Sequence, residues 1–132
     1  MTTLPSSGTS AQAEGPRLAI APLTEADATA EYALAQLWRP NLSPTQWQVF
    51  LRQWHAQPGQ RGIISARSQR GGVLGFVPWW QQPDLEFGQV LWAGPFVVRE
   101  LGVRPLVRQA LTKGLVQRAN QTGLNLRLAE AG

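Results

Sequence analysis

Residues 89–129 read QVLWAGPFVVRELGVRPLVRQALTKGLVQRANQTGLNLRLA, and the order of structural signals in this stretch predicts most of the fold. The apolar run Val90–Val98 has the character of a strand, and Gly94-Pro95 interrupts it. Because proline cannot donate a backbone hydrogen bond to a strand ladder, this pair predicts a bulge or a local separation from the neighbouring strand.

A helix and a closing strand are predicted after this interruption. Pro105 suits a first helical turn, and Gly123 suits the position after the helix ends. Apolar residues fall between them at helical spacing: Leu106, Val107, Ala110, Leu111, Leu115 and Ala119. Leu124–Leu128 then alternates apolar and polar residues, as a strand does. A strand, a turn and a helix N-terminus in this order present unpaired N–H groups, a common way to hold an anion.

Positive charge is concentrated in the same part of the chain. The net charge is +4, and residues 99–127 hold six of the twelve basic residues and a single acid, Glu100. The six are Arg99, Arg104, Arg108, Lys113, Arg118 and Arg127. Such a segment predicts an anionic partner, either a phosphorylated small molecule or nucleic acid. The alternative is a solvated helix face in a protein that prefers Arg to Lys.

The N-terminal half predicts one strand and two helices. Arg17–Leu23 is apolar enough for a strand, and Thr24–Asp27 has the spacing of a capping box that opens a helix. That helix ends at Arg39-Pro40, and the second begins at Ser43-Pro44. An aromatic stripe marks the second helix and is interpreted as core packing: Trp47, Phe50, Leu51 and Trp54.

Two further strands, Gly62–Ala66 and Val73–Trp80, are predicted as a hairpin, and the polar residues 81–88 are predicted as a loop. The element order is therefore β-α-α-β-β-β-α-β. This order predicts an α+β domain, built as three layers around a mixed, mostly antiparallel sheet, over residues 17–132. Residues 1–16 are rich in Thr, Ser, Gly, Ala and Pro and are predicted to be a disordered tail.

Composition excludes several kinds of chemistry. The chain contains no cysteine, which removes disulfides, thiol catalysis and thiolate metal sites. It contains one histidine and scattered acids, so no metal site is predicted. No apolar run approaches the ~20 residues that span a membrane, and no secretory signal is visible. We therefore expect a cytoplasmic protein without a membrane partner.

The element order and three segments resemble the GNAT superfamily, whose members transfer an acyl group from acyl-coenzyme A to an amine. The segments are Leu18–Asp27 (LAIAPLTEAD), Gly72–Trp79 (GVLGFVPW) and Phe96–Leu128. The resemblance runs from Arg17 to the end of the chain. The family normally continues after the fifth strand with a helix and two more strands, so the resemblance implies a divergent, C-terminally short member.

The resemblance implies that acetyl-CoA, or another acyl-CoA, binds as co-substrate between the splayed fourth and fifth predicted strands. Pantetheine would pair with strand backbone there, and the pyrophosphate would meet the N-terminus of the following helix. The residues implied to bind the coenzyme are Phe96, Val97, Val98, Arg99, Gly102, Val103, Arg104 and Arg108.

The loop that would hold the pyrophosphate departs from the family pattern Arg/Gln-x-x-Gly-x-Gly/Ala. In one register, Val103–Arg108 contains no glycine, and Pro105 removes a donor. In the other register, Arg99–Arg104 keeps Arg-x-x-Gly but ends in arginine. Either arginine side chains hold the anion through charge-assisted contacts, or coenzyme A is not bound.

Amine acylation calls for a base and an acid. Glu86 is the first candidate base and Asp84 the second; the alternative is that both only solvate a loop beside Pro83. The general acid of the family is a tyrosine in the part of the fold that this chain lacks. The one tyrosine, Tyr32, and the one histidine, His55, are interpreted as structural.

Two other functions remain open. In the first, the fold is a catalytically inactive binding or assembly module. One ring of Trp79-Trp80 lines its contact surface, and a second copy or another protein covers an open sheet edge. In the second, the basic segment binds nucleic acid, for which no motif and no interleaved aromatic residues are present. If the protein is an N-acetyltransferase, its acceptor is a small-molecule or protein amine.

Overall fold

The computed structural model describes residues 18–99 and 101–129. The predicted disordered tail, residues 1–16, lies outside this range. The helices and strands are β1 (Ala19–Pro22), α1 (Tyr32–Trp38), α2 (Pro44–Trp54), β2 (Arg61–Arg67), β3 (Val73–Asp84), β4 (Gly88–Ala93), β5 (Val97–Val98), α3 (Arg104–Thr122) and β6 (Asn125–Leu128). Within these residues no helix combines the length and apolarity needed to cross a bilayer.

One sheet organises the domain. Its strands lie in the order β1-β2-β3-β4-β6, and β5 pairs with β3 beyond the end of β4. All pairs are antiparallel except β4 with β6, which is parallel. A mixed, mostly antiparallel α+β architecture was predicted from the element order, and the structure confirms it.

Two hydrophobic clusters place the helices on opposite faces of the sheet. On the α1–α2 face, the buried residues Trp47, Leu51 and Phe76 belong to one cluster. On the α3 face, Leu111 and Leu115 belong to the other. The aromatic stripe of α2 therefore lies in the core, as its helical spacing predicted, and the three layers are complete.

Local signals set where the helices begin and end. The Ser43 Oγ accepts a hydrogen bond from the Gln46 N–H at 3.0 Å, and the Gln46 Oε1 accepts one from the Ser43 N–H at 2.9 Å. Gly123 ends α3 with φ at 72°, a conformation that favours glycine. The capping box predicted at Thr24–Asp27 is present, but it begins a 3-10 turn, Glu25–Asp27, instead of the helix. The predicted helix begins only at Tyr32, as α1.

The prediction of a loop at residues 81–88 was also wrong. β3 continues to Asp84 and pairs with β4 down to Gly88, so only a short turn remains. Strand pairing is made by backbone groups, which do not require apolar side chains. Gln81–Asp84 lies toward the exposed end of this hairpin, and its polar composition therefore resembled a loop.

The predicted strand Val90–Val98 is two strands, because the chain leaves the ladder at Gly94-Pro95, which form a cis peptide. β4 pairs with β6 as far as Ala93, and the Ala129 N–H donates to the Ala93 carbonyl at 2.7 Å. Beyond Pro95 the chain returns to β3 as β5. The interruption predicted from Gly94-Pro95 is therefore present. β4 and β6 are paired before Gly94, and the strand after Pro95 pairs with β3 instead.

Replacing Gly94 with alanine should strongly destabilise the fold. A Cβ at this position would lie 2.1 Å from the Ala129 carbonyl oxygen, and φ is +138°. We expect Gly94→Ala to lower the free energy of unfolding by about 2 kcal/mol or more, measured by urea denaturation. Gly59→Ala is the matched control, since a Cβ there has no neighbour within 4 Å, and it should change stability by less than ~0.5 kcal/mol. Equal stability of the two variants would contradict this account.

Candidate functional site

The outer edge of β5 carries backbone groups that no strand uses. The Arg99 N–H donates to the Leu74 carbonyl at 2.8 Å, so Arg99 faces β3. Because strand residues alternate in direction, the N–H and carbonyl of Val98 face away from β3. Among the described residues no strand pairs with that side of β5. The N–H and carbonyl of Phe96 point the same way as those of Val98, whereas the N–H and carbonyl of Val97 point toward β3.

The N-terminus of α3 follows this edge after a short 3-10 turn, Leu101–Val103. Val103 occupies the N-cap position, and no side chain caps the helix there. The N-terminus of this 19-residue helix carries a positive dipole end that favours an anion, but Pro105 has no N–H and the preceding 3-10 turn uses the N–H groups of Val103 and Arg104. Gly102 lies in the turn, and a Cβ there would have no neighbour within 4 Å. Backbone at this turn is accessible to a ligand.

Two of the predicted coenzyme residues, Phe96 and Arg108, are in direct contact. The Arg108 guanidinium lies 4.2 Å from the ring centroid of Phe96, which joins the first turns of α3 to the start of β5. Arg104 is exposed at the beginning of the helix. Lys113 adds a further positive charge to an open depression on α3 that Arg108 also lines. Positive side chains therefore lie along the N-terminal half of α3, and that of Arg108 reaches the Phe96 ring at the start of β5.

The side chain of Arg99 makes contacts within the protein, whereas the resemblance implied a contact with the coenzyme. Its Nη2 donates to the Glu31 Oε1 at 3.0 Å, and its Nε donates to the Val73 carbonyl at 3.1 Å. Burial raises the pKa of Glu31, and the Arg99 guanidinium opposes that shift. The side chain of Arg99 thus holds the loop against α1 and β3.

The two candidate bases lie at the far end of β4 from Gly94. The Asp84 Oδ2 accepts hydrogen bonds from the N–H groups of Glu86 and Phe87, both at 3.0 Å, and so closes the β3–β4 turn. Glu86 is exposed in this turn. Gly88 and Gly94 are six residues apart along an extended strand, which corresponds to about 20 Å. Neither carboxylate is brought to the free edge of β5, and β4 itself carries no titratable side chain.

Tyr32 and His55 have structural contacts, in line with their interpretation from the sequence. The Tyr32 hydroxyl donates to the Leu42 carbonyl. The His55 Nδ1 lies 2.7 Å from the Leu51 carbonyl oxygen at the end of α2. Among residues 18–99 and 101–129, no three His, Cys, Asp or Glu side chains gather as a metal site would require.

One set of side chains was not predicted as a group. Arg61, Trp80, Trp92 and Arg127 are successive cross-strand partners on β2, β3, β4 and β6, and we call them the Arg–Trp row. Trp79 is 4% exposed on the α3 face, whereas Trp80 on the opposite face is half-buried. The expectation that one ring of this pair is core is confirmed. The sequence carried no signal for the register that aligns the other three side chains with Trp80.

Comparison of sequences identifies no relative: no family model and no curated protein matches the chain. Solved structures do match it. Glucosamine-6-phosphate N-acetyltransferase from Arabidopsis thaliana superposes with a TM-score of 0.69 at 10% identity, covering 88% of this chain and 82% of that one. Ribosomal-protein-alanine N-acetyltransferase from Brucella melitensis biovar Abortus gives 0.69 at 18% identity, covering 88% and 80%.

A third similar structure is an aminoglycoside N-acetyltransferase in complex with CoA, with a TM-score of 0.69 at 14% identity over 90% of this chain and 79% of that one. These neighbours are all N-acetyltransferases. The chain therefore has the fold of the GNAT-type N-acetyltransferases, as its resemblance to that superfamily implied. At these identities the likeness concerns the fold alone.

The buried carboxylate Glu31 should make stability depend on pH. A folded-state pKa above the ordinary value of 4.5 means that the folded protein holds this proton more tightly than the unfolded chain does. Its contribution to stability is therefore present at low pH and is lost as pH rises from about 4.5 through the raised pKa. Glu31→Gln should flatten this decline, measured by urea denaturation between about pH 4 and 8. Glu86→Gln, on an exposed turn, should keep it; an unchanged decline in Glu31→Gln would contradict the assignment.

Proposed function

We propose that this chain is an acyl-CoA-dependent N-acyltransferase that transfers an acetyl group to an amine and binds the coenzyme along the free edge of β5. The observation that carries the proposal is the separation after Ala93. Among residues 18–99 and 101–129, it leaves the N–H and carbonyl of Val98 without a strand partner, shortly before the N-terminus of α3, which has no side-chain cap. The likeness to N-acetyltransferases, one of them a complex with CoA, supports it.

The free edge would bind pantetheine as a sheet edge binds an added strand. Amide groups of the ligand would pair with the backbone of Val98 and Phe96, which requires no particular side chain. The phosphates would lie at the first turn of α3, near Arg104 and Arg108. Side-chain cations in this arrangement take the place of the second loop glycine that the family pattern has and this chain lacks.

The proposed reaction forms an N–C bond and breaks a C–S bond. The neutral amine attacks the thioester carbonyl carbon, the thiolate of coenzyme A leaves and takes up a proton, and the amine nitrogen loses one. A backbone N–H on the free edge is the available donor for the oxygen that becomes negative during attack. Because it is fixed by the pairing of β5 with β3, this donor needs no rearrangement.

The pH dependence should reveal that no protein base acts at this edge. Among the described residues no carboxylate or imidazole lies there, and we propose that solvent deprotonates the amine. We expect kcat/KM to rise about tenfold per pH unit up to the pKa of the acceptor amine, about 9–10. Rates measured with two amines of different pKa should level off at correspondingly different pH values. A plateau at the same pH for both amines would indicate a protein base and contradict this reading.

Titration calorimetry with acetyl-CoA and with coenzyme A tests the coenzyme site. We expect micromolar binding that Arg104→Ala weakens about tenfold, because a charge-assisted contact to phosphate is lost. Arg108→Ala should weaken it at least as much, since the contact with Phe96 is lost too. Arg70→Ala removes the same charge from the exposed β2–β3 turn and should leave binding unchanged. No binding at millimolar coenzyme, or an equal loss in Arg70→Ala, would refute the proposal.

A second candidate function is the inactive binding or assembly module, and two observations favour it. The edge of β5 has no base among the described residues, and no described strand pairs with the outer side of β6. A second copy of the chain, or another protein, could add a strand there. Sedimentation over a range of concentrations tests the first of these partners. Self-association together with a failure to bind coenzyme would favour the module over the enzyme.

A further inference from the structure

The Arg–Trp row forms a continuous band across the sheet on the α1–α2 face. Arg61 pairs with Trp80, Trp80 with Trp92, and Trp92 with Arg127. Residues directly opposite each other in paired strands project to the same face. With strands spaced about 4.8 Å apart, the backbone of this band spans about 14 Å. The row lies at the end of α2, where the cover of this face by helices stops at Trp54.

The centre of the row is an aromatic platform. The rings of Trp80 and Trp92 are stacked, with centroids 6.4 Å apart and planes 12° apart. Trp54 meets Trp80 edge-on at 6.2 Å, and its Nε1 donates to the Gly62 carbonyl, which fixes its orientation. The groove at this junction has a volume of about 330 Å³ and is lined by Trp54, Gln57, Gln60, Arg61, Trp80 and Gln81. It is large enough for a planar ring.

The charge around the platform is positive, and no ion pair among residues 18–99 and 101–129 neutralises it. The Arg61 guanidinium lies 5.1 Å from the Trp54 ring centroid, and its Nε is buried without a hydrogen-bond partner. Arg127 lies 5.5 Å from the Phe87 ring centroid. The ion pairs found among the described residues involve neither arginine. A ligand with a negative group would satisfy Arg61, whereas a ligand carrying only a positive charge would be repelled.

The platform also lies close to the proposed reaction centre. Trp92 precedes Gly94 by two residues, which corresponds to about 7 Å along a strand. The coenzyme phosphates would be bound at α3, on the other face of the sheet. A molecule lying on the platform can therefore extend one end toward the thioester without meeting the coenzyme.

We infer that the Arg–Trp row is the acceptor site. The acceptor is a primary amine joined through a methylene group to an aromatic ring, with a carboxylate at the opposite end of that ring. The inference rests on the proposed function. The ring packs in the groove against Trp80, the carboxylate pairs with Arg61, and the amine points past Trp92 toward Gly94. The ring stacks on tryptophan, and the carboxylate offsets the repulsion between the ammonium group and the arginines. The length of the molecule determines how close its amine comes to Gly94.

Three small amines test this assignment by direct binding to the full chain without coenzyme, measured by titration calorimetry. The probe is para-(aminomethyl)benzoate. Its saturated analogue, trans-para-(aminomethyl)cyclohexanecarboxylate, keeps both charges and loses the flat ring. The third, para-methylbenzylamine, keeps the ring and loses the carboxylate. We expect each of the two analogues to bind about tenfold more weakly than the probe. Equal binding of all three, or no binding of the probe at millimolar concentration, would overturn the inference.

Substitution of Arg61 identifies the carboxylate contact. Arg61→Gln should weaken the probe about tenfold, because only the probe has a group for Arg61 to pair with, and should leave para-methylbenzylamine unweakened or somewhat stronger, because a repelling charge is removed. Arg70→Gln is the matched control and should change neither. Circular dichroism confirms that each variant is folded. Equal effects of Arg61→Gln on both ligands would show loss of packing instead of a lost ion pair, and would overturn the assignment of the carboxylate to Arg61.

The two proposals can fail separately. If the probe binds as expected but acetyl-CoA does not, the proposed function fails and with it the role of the row as an acceptor site. If acetyl-CoA binds and the probe does not, the acceptor class is wrong and the proposed function stands. Binding of both, with acetylation of the probe faster than that of either analogue, supports both. Preference of the row for a single-stranded oligonucleotide over the probe would also overturn the acceptor class.

Discussion

The whole arrangement depends on the close approach between Gly94 and Ala129. The Ala129 N–H closes the β4–β6 ladder at the Ala93 carbonyl, and the Ala129 carbonyl then occupies the space in which any other residue at 94 would carry its Cβ. β6 ends at Leu128, and beyond Gly94 the chain turns away from it. The turn sends the chain back to β3 as β5, whose outer edge pairs with no described strand. A single close contact between two backbones thus lies where the sheet opens.

A two-residue strand needs support to stay in place, and β5 receives it from three directions. Val97 packs into the α1–α2 cluster and Val98 into the α3 cluster, each burial contributing on the order of 1.5–3 kcal/mol. Arg99 then bonds to Val73 and Glu31. The free edge is accordingly part of the core, and its N–H and carbonyl directions are fixed before any ligand arrives. This rigidity is what an edge that binds backbone-like amides requires.

Features that depend on a few neighbouring residues were readable from the sequence. The Ser43–Gln46 box, the end of α3 at Gly123 and the break at Gly94-Pro95 each follow from the chemistry of one or two residues. The extent of β3 was not readable, because its last four residues are polar and only their pairing with β4 makes them a strand. Misjudging that extent also hid the distance of Glu86 from the opening, since a hairpin turn moves with the length of its strands.

The features that are hardest to predict from the sequence depend on contacts between distant segments or on the registers of several strand pairs at once. The contact of Arg99 with Glu31 joins residues 68 positions apart in the sequence, and no local pattern marks it. The Arg–Trp row requires three strand pairings to be known at once. A shift of one residue in any of them would send a side chain to the other face of the sheet. The fold and the break at Gly94-Pro95 could thus be predicted from local signals, whereas the Arg–Trp row could not.

In the proposed reaction the positive row bears on how the acceptor amine loses its proton, because no described residue at the β5 edge is a base. An ammonium ion cannot attack a thioester, so a reaction without a protein base must favour the neutral amine in another way. Cations near an amine lower its pKa, because a second positive charge is unfavourable beside them. In the proposed pose, however, Arg61 is paired with the acceptor carboxylate, and the Arg127 guanidinium lies against Phe87, at the turn end of β4 and away from Gly94. The arginines would therefore act by selecting an acidic acceptor, and removal of the proton from its amine would be left to solvent.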